Sequence, residues 1–203
     1  MPDPTLSKRE QNKQFNRNAI LQSAKLEFAA HGFNGANLTQ IIEHSGLATG
    51  TFYKYFDNKE TLYAAVSSQL AEEVSEILRN CYKATQLPEP YIQLVLQEVA
   101  MFVIKDPSNL DFVLRNNSII AESLGGKGPW AQITVQLREY LEFAVNQQML
   151  PKQDTGLMIQ ALLGSASAVL SYIANDCKSL IEKQQALEFL GRFISNAILT
   201  KRT

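Results

Sequence analysis

Residues 49–62, TGTFYKYFDNKETL, set four aromatic rings, Phe52, Tyr53, Tyr55 and Phe56, into five positions and then turn polar. On a helix, residues four apart share a face. Thr49 and Tyr53, with Gly50 and Lys54, therefore lie on one side, and Phe52 and Phe56 lie on the other. Leu38, Ile41, Ile42 and Leu47, just upstream, are available to cover the two phenylalanines. Half of the rings read as core and half as a presented surface. Two short helices, about 37–44 and 48–55, flank the turn Ser45-Gly46-Leu47. With a packing helix before them they match a helix-turn-helix, whose second helix enters the DNA major groove.

The outward face suits double-stranded DNA for separable reasons. Gly50 has no side chain to hold the backbone away from a phosphate, and Thr49 and Thr51 each offer a hydroxyl and a methyl. Lys54 brings charge, and the phenols of Tyr53 and Tyr55 can bond phosphate oxygens. Lys59 adds a cation where the amides of the next helix already attract anions.

Toward the N-terminus, Ile20, Leu21, Ala24, Leu26, Phe28 and Ala29 recur at helical spacing from about Arg17, and His31-Gly32 ends the run. Asn37 with Gln40, and Asp57 with Glu60, have the spacing of capping boxes. Behind the second, Leu62, Val66, Leu70, Val74, Ile77 and Cys81 form one stripe of a long helix. Lys8, Arg9, Lys13 and Arg17 crowd one arm opposed only by Glu10, which reads either as a solvated helix start or as a basic arm.

Beyond Leu87-Pro88-Glu89-Pro90 the pattern coarsens into helices at about 90–105, 108–124, 129–149, 154–175 and 180–201. The predicted fold class is all-α: a three-helix, helix-turn-helix head in residues 1–60 with its basic arm, and a larger helical body in residues 61–203. With 203 residues, 45% of them hydrophobic, the chain can build a sizeable core. Its net charge of −1 hides a slight asymmetry, since residues 1–60 carry seven Lys/Arg against six Asp/Glu. The N-terminus lacks the apolar core of a signal peptide, and no later run is read as reaching the ~18 apolar residues of a membrane span. A cytoplasmic protein with no membrane partner is expected. Cys81 and Cys177, far apart and without metal-ligand spacing, read as reduced thiols or, alternatively, as a redox switch. Neither a metal nor a cofactor is implied.

The run from Gly32 through Ile41, Gly46-Leu47-Ala48-Thr49-Gly50-Thr51-Phe52-Tyr53-Lys54-Tyr55-Phe56 to Asn58-Lys59-Glu60-Thr61-Leu62 resembles the DNA-binding head of the TetR family of bacterial transcriptional regulators. The resemblance covers about residues 15–65. It implies that Tyr53 and Tyr55 meet backbone or base edges, that Thr49, Thr51 and Lys54 contribute groove contacts, and that Lys59 clamps a phosphate. Asn37 and Thr39 would touch the flanking backbone. The family commonly has Ser or Thr where Ala48 stands and a basic residue where Thr49 stands. Ala48 supplies no side-chain cap, so Thr49 either caps the helix or stays free to read a base.

The same resemblance implies a body that binds a small-molecule effector and forms a homodimer through the last two helices. In the segment 157–173, apolar on nearly every face, Gly164-Ser165-Ala166-Ser167-Ala168 reads as a dimer seam or as a tight intrachain core. The final helix offers Leu187, Leu190, Phe193, Ile194, Ala197 and Ile198 as one face. Candidate pocket residues are Met101, Phe102, Phe112, Trp130, Tyr140, Phe143, Met158 and Tyr172, with Arg115, Asn116, Asn117 or Glu122 as polar handles. An apolar or aromatic effector is expected, which would release the protein, acting as a repressor, from a palindromic operator. The competing expectation is an effector-independent or architectural DNA-binding protein. Catalysis is not expected: both histidines, His31 and His44, lie in the head, and no Gly-rich phosphate loop or Ser/His/Asp arrangement appears.

Overall fold

The computed structural model describes residues 7–199. Ten helices, and no strand, occur among these residues. The head contains α1 (Lys8–Gly35), α2 (Leu38–His44) and α3 (Thr49–Phe52), and α4 (Lys59–Ala84) leads into the body. The body adds α5 (Pro88–Lys105), α6 (Pro107–Arg115), α7 (Asn117–Leu124), α8 (Ala131–Asn146), α9 (Thr155–Asn175) and α10 (Leu180–Leu199). The all-α expectation holds. The expected end of the last helix, at residue 201, lies outside the described residues.

Local chemistry moves several boundaries. The basic arm is helical, because Ser7 and Glu10 form a capping box that starts α1 nine residues before the expected Arg17. Glu10 N–H donates to Ser7 Oγ at 3.3 Å, and Ser7 N–H donates to Glu10 Oε2 at 3.0 Å. Gly32 does break the helical path, with φ +67°. A short turn continues to Gly35, and Ala36 N–H then closes on the Gly32 carbonyl at 3.0 Å. Asn37 caps α2 by accepting from Thr39 N–H at 2.9 Å. The reciprocal bond expected from Gln40 comes instead from buried Glu27, whose carboxylate accepts from Asn37 N–H at 3.0 Å. The box before α4 is Asn58 with Thr61 rather than Asp57 with Glu60.

The helix expected over 108–124 is two helices. The backbone leaves helical geometry at Asn116, φ −112° and ψ 19°, where the side chain makes long-range bonds instead of facing solvent. Leu26, expected on the apolar stripe of α1, is exposed.

One apolar cluster crosses residue 60. Ile20, Ala24 and Phe28 of α1, Ile41 of α2 and Phe52 of α3 pack with Leu62, Tyr63 and Val66 of α4, and the cluster continues into Phe112, Ile120 and Trp130. Tyr63 joins the two parts, its ring stacked on Phe112 at 5.5 Å and edge-on to Phe28 at 5.2 Å. Each such ring contributes about 1.5–3 kcal/mol by leaving water. Ser23 Oγ also donates to the Ile41 carbonyl at 2.8 Å, fixing α2 on α1. A second cluster fills the far end of the body with Cys81, Tyr91, Tyr140, Leu141, Leu190 and Ile194, drawn from α4, α5, α8 and α10.

Candidate nucleic-acid interface and body cavity

The two-sided reading of residues 49–62 is what the fold displays. Phe52 and Phe56 are buried in the head core. Thr49, Gly50, Tyr53 and Lys54 are exposed, and Thr51 and Tyr55 are half-buried, with Tyr55 packed on the core cluster. Tyr53 is 51% exposed, and its ring sits edge-on to Phe52 at 5.2 Å, so the core holds an outward phenol in place. Gly46 adopts φ +71°, a conformation that favours glycine and makes the tight turn between α2 and α3.

Gly50 is different. A Cβ built there meets no atom within 4 Å, so nothing inside the molecule requires a glycine at that position. Ala48 is the N-cap of α3 and makes no side-chain cap bond, and Thr49 is the first helical residue. Thr49 therefore does not replace the missing cap. Its exposed hydroxyl is left to the surface.

Other candidates are already engaged within the head. The Asn37 side chain caps α2, while Thr39 is exposed beside it. Lys59 donates from Nζ to the Ala36 carbonyl at 3.1 Å, with the ammonium 5.0 Å from the Phe33 ring centroid. The sequence reading missed Arg17, whose guanidinium lies 5.6 Å over the Phe56 ring. That contact seats a cation from α1 against the aromatic segment. The signal was present in the sequence only as one basic residue of an arm.

The candidate pocket residues are scattered. Phe112 and Trp130 belong to the cluster shared by head and body, and Phe102 packs against it. Trp130 Nε1–H donates to Ser67 Oγ at 2.8 Å. Asn116 is buried, with both its amide groups bonded. Arg115, Asn117, Glu122, Tyr172 and Met101 are exposed. Phe143 packs edge-on to Tyr82 at 6.1 Å, and Met158 lies beside the second core cluster. Among all of these only Tyr140 lines the apolar cavity of the body, whose volume is about 190 Å³. Aliphatic residues such as Val95, Leu137, Leu162 and Ile194 make most of that wall. Sequence reasoning had favoured aromatic residues and overlooked them, because an aliphatic cavity wall and an aliphatic core look alike in a sequence.

The last two helices divide their apolar residues. Leu190, Ile194 and Ile198 are buried within the chain, whereas Phe189 and Phe193 are 58% and 52% exposed and stack at 6.3 Å. On α9, Ile159 and Ile173 are buried, Leu157 is exposed, and a Cβ at Gly164 meets nothing within 4 Å. By length and composition alone, Thr155–Ile173 is apolar enough to cross a membrane, which corrects the expectation that no run reaches that length. Only 17% of that window is fully buried inside the chain: Leu162, Leu163, Ala166 and Leu170 are half-buried and line the body cavity, while Leu157 and Tyr172 are exposed. Cys81 and Cys177 are both buried free thiols, and burial pushes the Cys81 thiol up, with Glu98 adding to the effect.

The family described as bacterial regulatory proteins, tetR family, matches residues 20–66. The HTH-type transcriptional repressor AcnR of Corynebacterium glutamicum is 26% identical over 98 residues, 48% of this chain and 45% of that protein. The HTH-type transcriptional regulator RutR of Escherichia coli is 37% identical over 68 residues, 34% of this chain and 32% of that protein. The chain thus matches less than half the length of either relative. Among solved structures, the fatty acid degradation regulator FadR from Bacillus halodurans superposes with a TM-score of 0.75 at 19% identity, covering 88% of this chain and 93% of that one. At that identity the likeness is one of fold.

Proposed function

We propose that this chain, whose residues 20–66 match the tetR family of bacterial regulatory proteins, is a regulator of that family and works in the cytoplasm as a ligand-responsive, DNA-binding transcriptional regulator. The observation that carries the reading is Gly50. An exposed helical glycine costs roughly 0.5–1 kcal/mol relative to alanine, and here no internal contact repays it. Close approach of an outside surface accounts for it, and the neighbouring Thr49, Tyr53 and Lys54 give that surface the chemistry of a DNA backbone and groove.

In this reading α3 enters the major groove, with Thr49, Thr51, Tyr53 and Lys54 toward the bases and phosphates. Asn37, Thr39, Tyr55 and Lys59 flank them. Two copies would associate through α9 and α10, burying Phe189, Phe193 and the open side of Gly164, and would read two half-sites of a palindromic operator about one helical turn (~34 Å) apart, or a multiple of it. The protein would act as a repressor. A small apolar effector in the body would favour a separation of the two heads that no longer fits the operator, and coupling of this kind is typically 1–3 kcal/mol. The apolar body cavity favours this effector-responsive reading over a constitutive architectural role.

Fluorescence anisotropy of labelled duplex DNA, with scrambled DNA as competitor and at two salt concentrations, tests the proposal. Competitor-resistant binding by two protomers per duplex is expected. Equal, salt-sensitive affinity for every sequence would remove the sequence-specific regulator from consideration.

A further inference from the structure

α1 begins at Lys8, yet none of its residues before Ile20 is buried. Roughly three turns of helix therefore overhang the head core. This overhang lies ahead of residue 20, where the family likeness begins. The Ser7–Glu10 capping box keeps it helical from its first residue, so its side chains hold a fixed register with the head.

Arg9, Lys13 and Arg17 are all exposed and stand four residues apart, which puts them in one stripe. The stripe runs on into Ile20, Ala24 and Phe28, which are buried in the head core. At about 3.6 residues per turn, all six fall within roughly a third of the helix circumference. One side of α1 is thus apolar where it lies on the core and basic where it extends past it. Lys8 and Phe15, the latter 72% exposed, project from the opposite side.

The row of cations is not neutralised from within. Glu10, the one acid in residues 7–19, accepts from Ser7 N–H at 3.0 Å and from Ser7 Oγ at 2.6 Å. Lys13 acts on that carboxylate as a weaker, through-space charge. Among the described residues, no carboxylate stands within ion-pair distance of Arg9, Lys13 or Arg17. Arg17 fixes where the row lies, because its guanidinium sits 5.6 Å over the ring of Phe56, in the segment that carries Tyr53 and Lys54. From there to Arg9 the row runs on for about 12 Å. An extended polyanion beside α3 matches it, and one strand of a duplex carries a charge every ~3.4 Å along the helix axis.

We propose that the overhanging start of α1 is a second DNA contact outside the helix-turn-helix, in which Arg9 and Lys13 hold the sugar-phosphate backbone of the duplex that α3 enters. The proposal rests on the reading of the head as DNA-binding and adds a surface to it. Arg17, seated on Phe56, aligns the row with the head.

Fluorescence anisotropy of the full chain on a labelled mixed-sequence duplex, over a series of salt concentrations, tests it, because phosphate contacts do not depend on sequence. The double variant Arg9→Gln/Lys13→Gln is expected to bind more weakly, with the slope of log affinity against log salt reduced by about two units for each bound protomer. Lys8→Gln removes the same charge from the opposite side of the helix and is expected to change the slope by less than about half a unit. All variants should keep the helical spectrum, since none of the three residues is buried. An unaltered slope in the double variant overturns the contact. An equal drop from Lys8→Gln and from Arg9→Gln alone overturns the stripe, leaving only diffuse charge. Either failure leaves the sequence-specific regulator standing, because competition by scrambled DNA decides that reading separately. A chain that binds no duplex at any salt concentration overturns both.

Discussion

Asn116, at the break between α6 and α7, donates from Nδ2 to the carbonyl oxygen of Phe28, 88 residues earlier in the chain, at 3.2 Å. The same amide donates to the Phe112 carbonyl at 2.8 Å, and its oxygen accepts from Phe33 N–H at 2.8 Å. One buried side chain thus bonds the end of α1 to the break between α6 and α7. Gly32 lies in the same contact, where a Cβ would stand 3.1 Å from the Arg115 carbonyl oxygen. Head and body meet here through directional bonds as well as apolar packing.

Asn116→Ala leaves buried groups on both sides of this contact without partners. A loss of roughly 2–4 kcal/mol is expected, one unpaired buried group costing about 1–3 kcal/mol. Urea unfolding checks it, and unchanged stability would mean that the contact is not formed in solution.

Gly50→Ala separates stability from function. Because the added methyl meets nothing in the molecule, stability should stay level or rise by up to ~1 kcal/mol. DNA affinity should fall, since the methyl would occupy the space where the proposed reading brings the DNA backbone. Thermal unfolding and DNA titration of the same sample give both answers.

Lys59→Ala should weaken binding to all DNA sequences alike and reduce the salt slope by about one unit. Lys59 also bonds the Ala36 carbonyl, so a modest stability loss of about 1 kcal/mol is expected alongside. A stability loss with an unaltered salt slope would confine Lys59 to its structural bond.

The pH dependence of stability should depend on Asp106. Its carboxylate accepts from Lys25 Nζ at 2.6 Å, joining α1 to the cap of α6. Burial alone would raise its pKa, but the bonds from Lys25 and Ser108 outweigh this and hold it below the ordinary 3.8. A pKa lowered by folding stabilises the protein above the unfolded value, and that stabilisation is lost as pH falls through the folded value. Asp106→Asn should therefore be less stable than the unaltered protein near neutrality, and the difference should disappear as the pH drops below about 3.8. Urea midpoints measured across that range test the sign.

Phe193→Glu places a charge in the proposed seam between copies while leaving the chain's own core intact, because Phe193 is 52% exposed. Sedimentation should show a monomer that keeps its helical spectrum. A persistent dimer would place the interface elsewhere.

The sequence was most legible where periodicity and backbone chemistry agree. Phe52 and Phe56 against Tyr53 and Lys54 could be sorted by spacing alone, and Gly46 and Gly32 mark the breaks they were expected to mark. Boundaries set by side-chain bonds were harder. Asn58 rather than Asp57 caps α4, and Glu27 rather than Gln40 completes the cap at Asn37, a bond between residues ten apart that no local pattern displays. The break at Asn116 depends on partners 83 and 88 residues away. The cavity was least legible, since its aliphatic wall cannot be told from core in a linear sequence. Phe112 and Trp130, conspicuous in the sequence as pocket candidates, are instead rings of the cluster that fastens head to body.

The most direct test of the regulator is selection of bound duplexes from a random double-stranded DNA pool, at physiological salt, followed by stoichiometry on the enriched sequence. The account predicts an inverted repeat with half-sites about one helical turn (~34 Å) apart, or a multiple of it, bound by two protomers and lost in the Gly50→Ala variant. A pool that stays random, or a single half-site that the Gly50→Ala variant binds equally well, would contradict it.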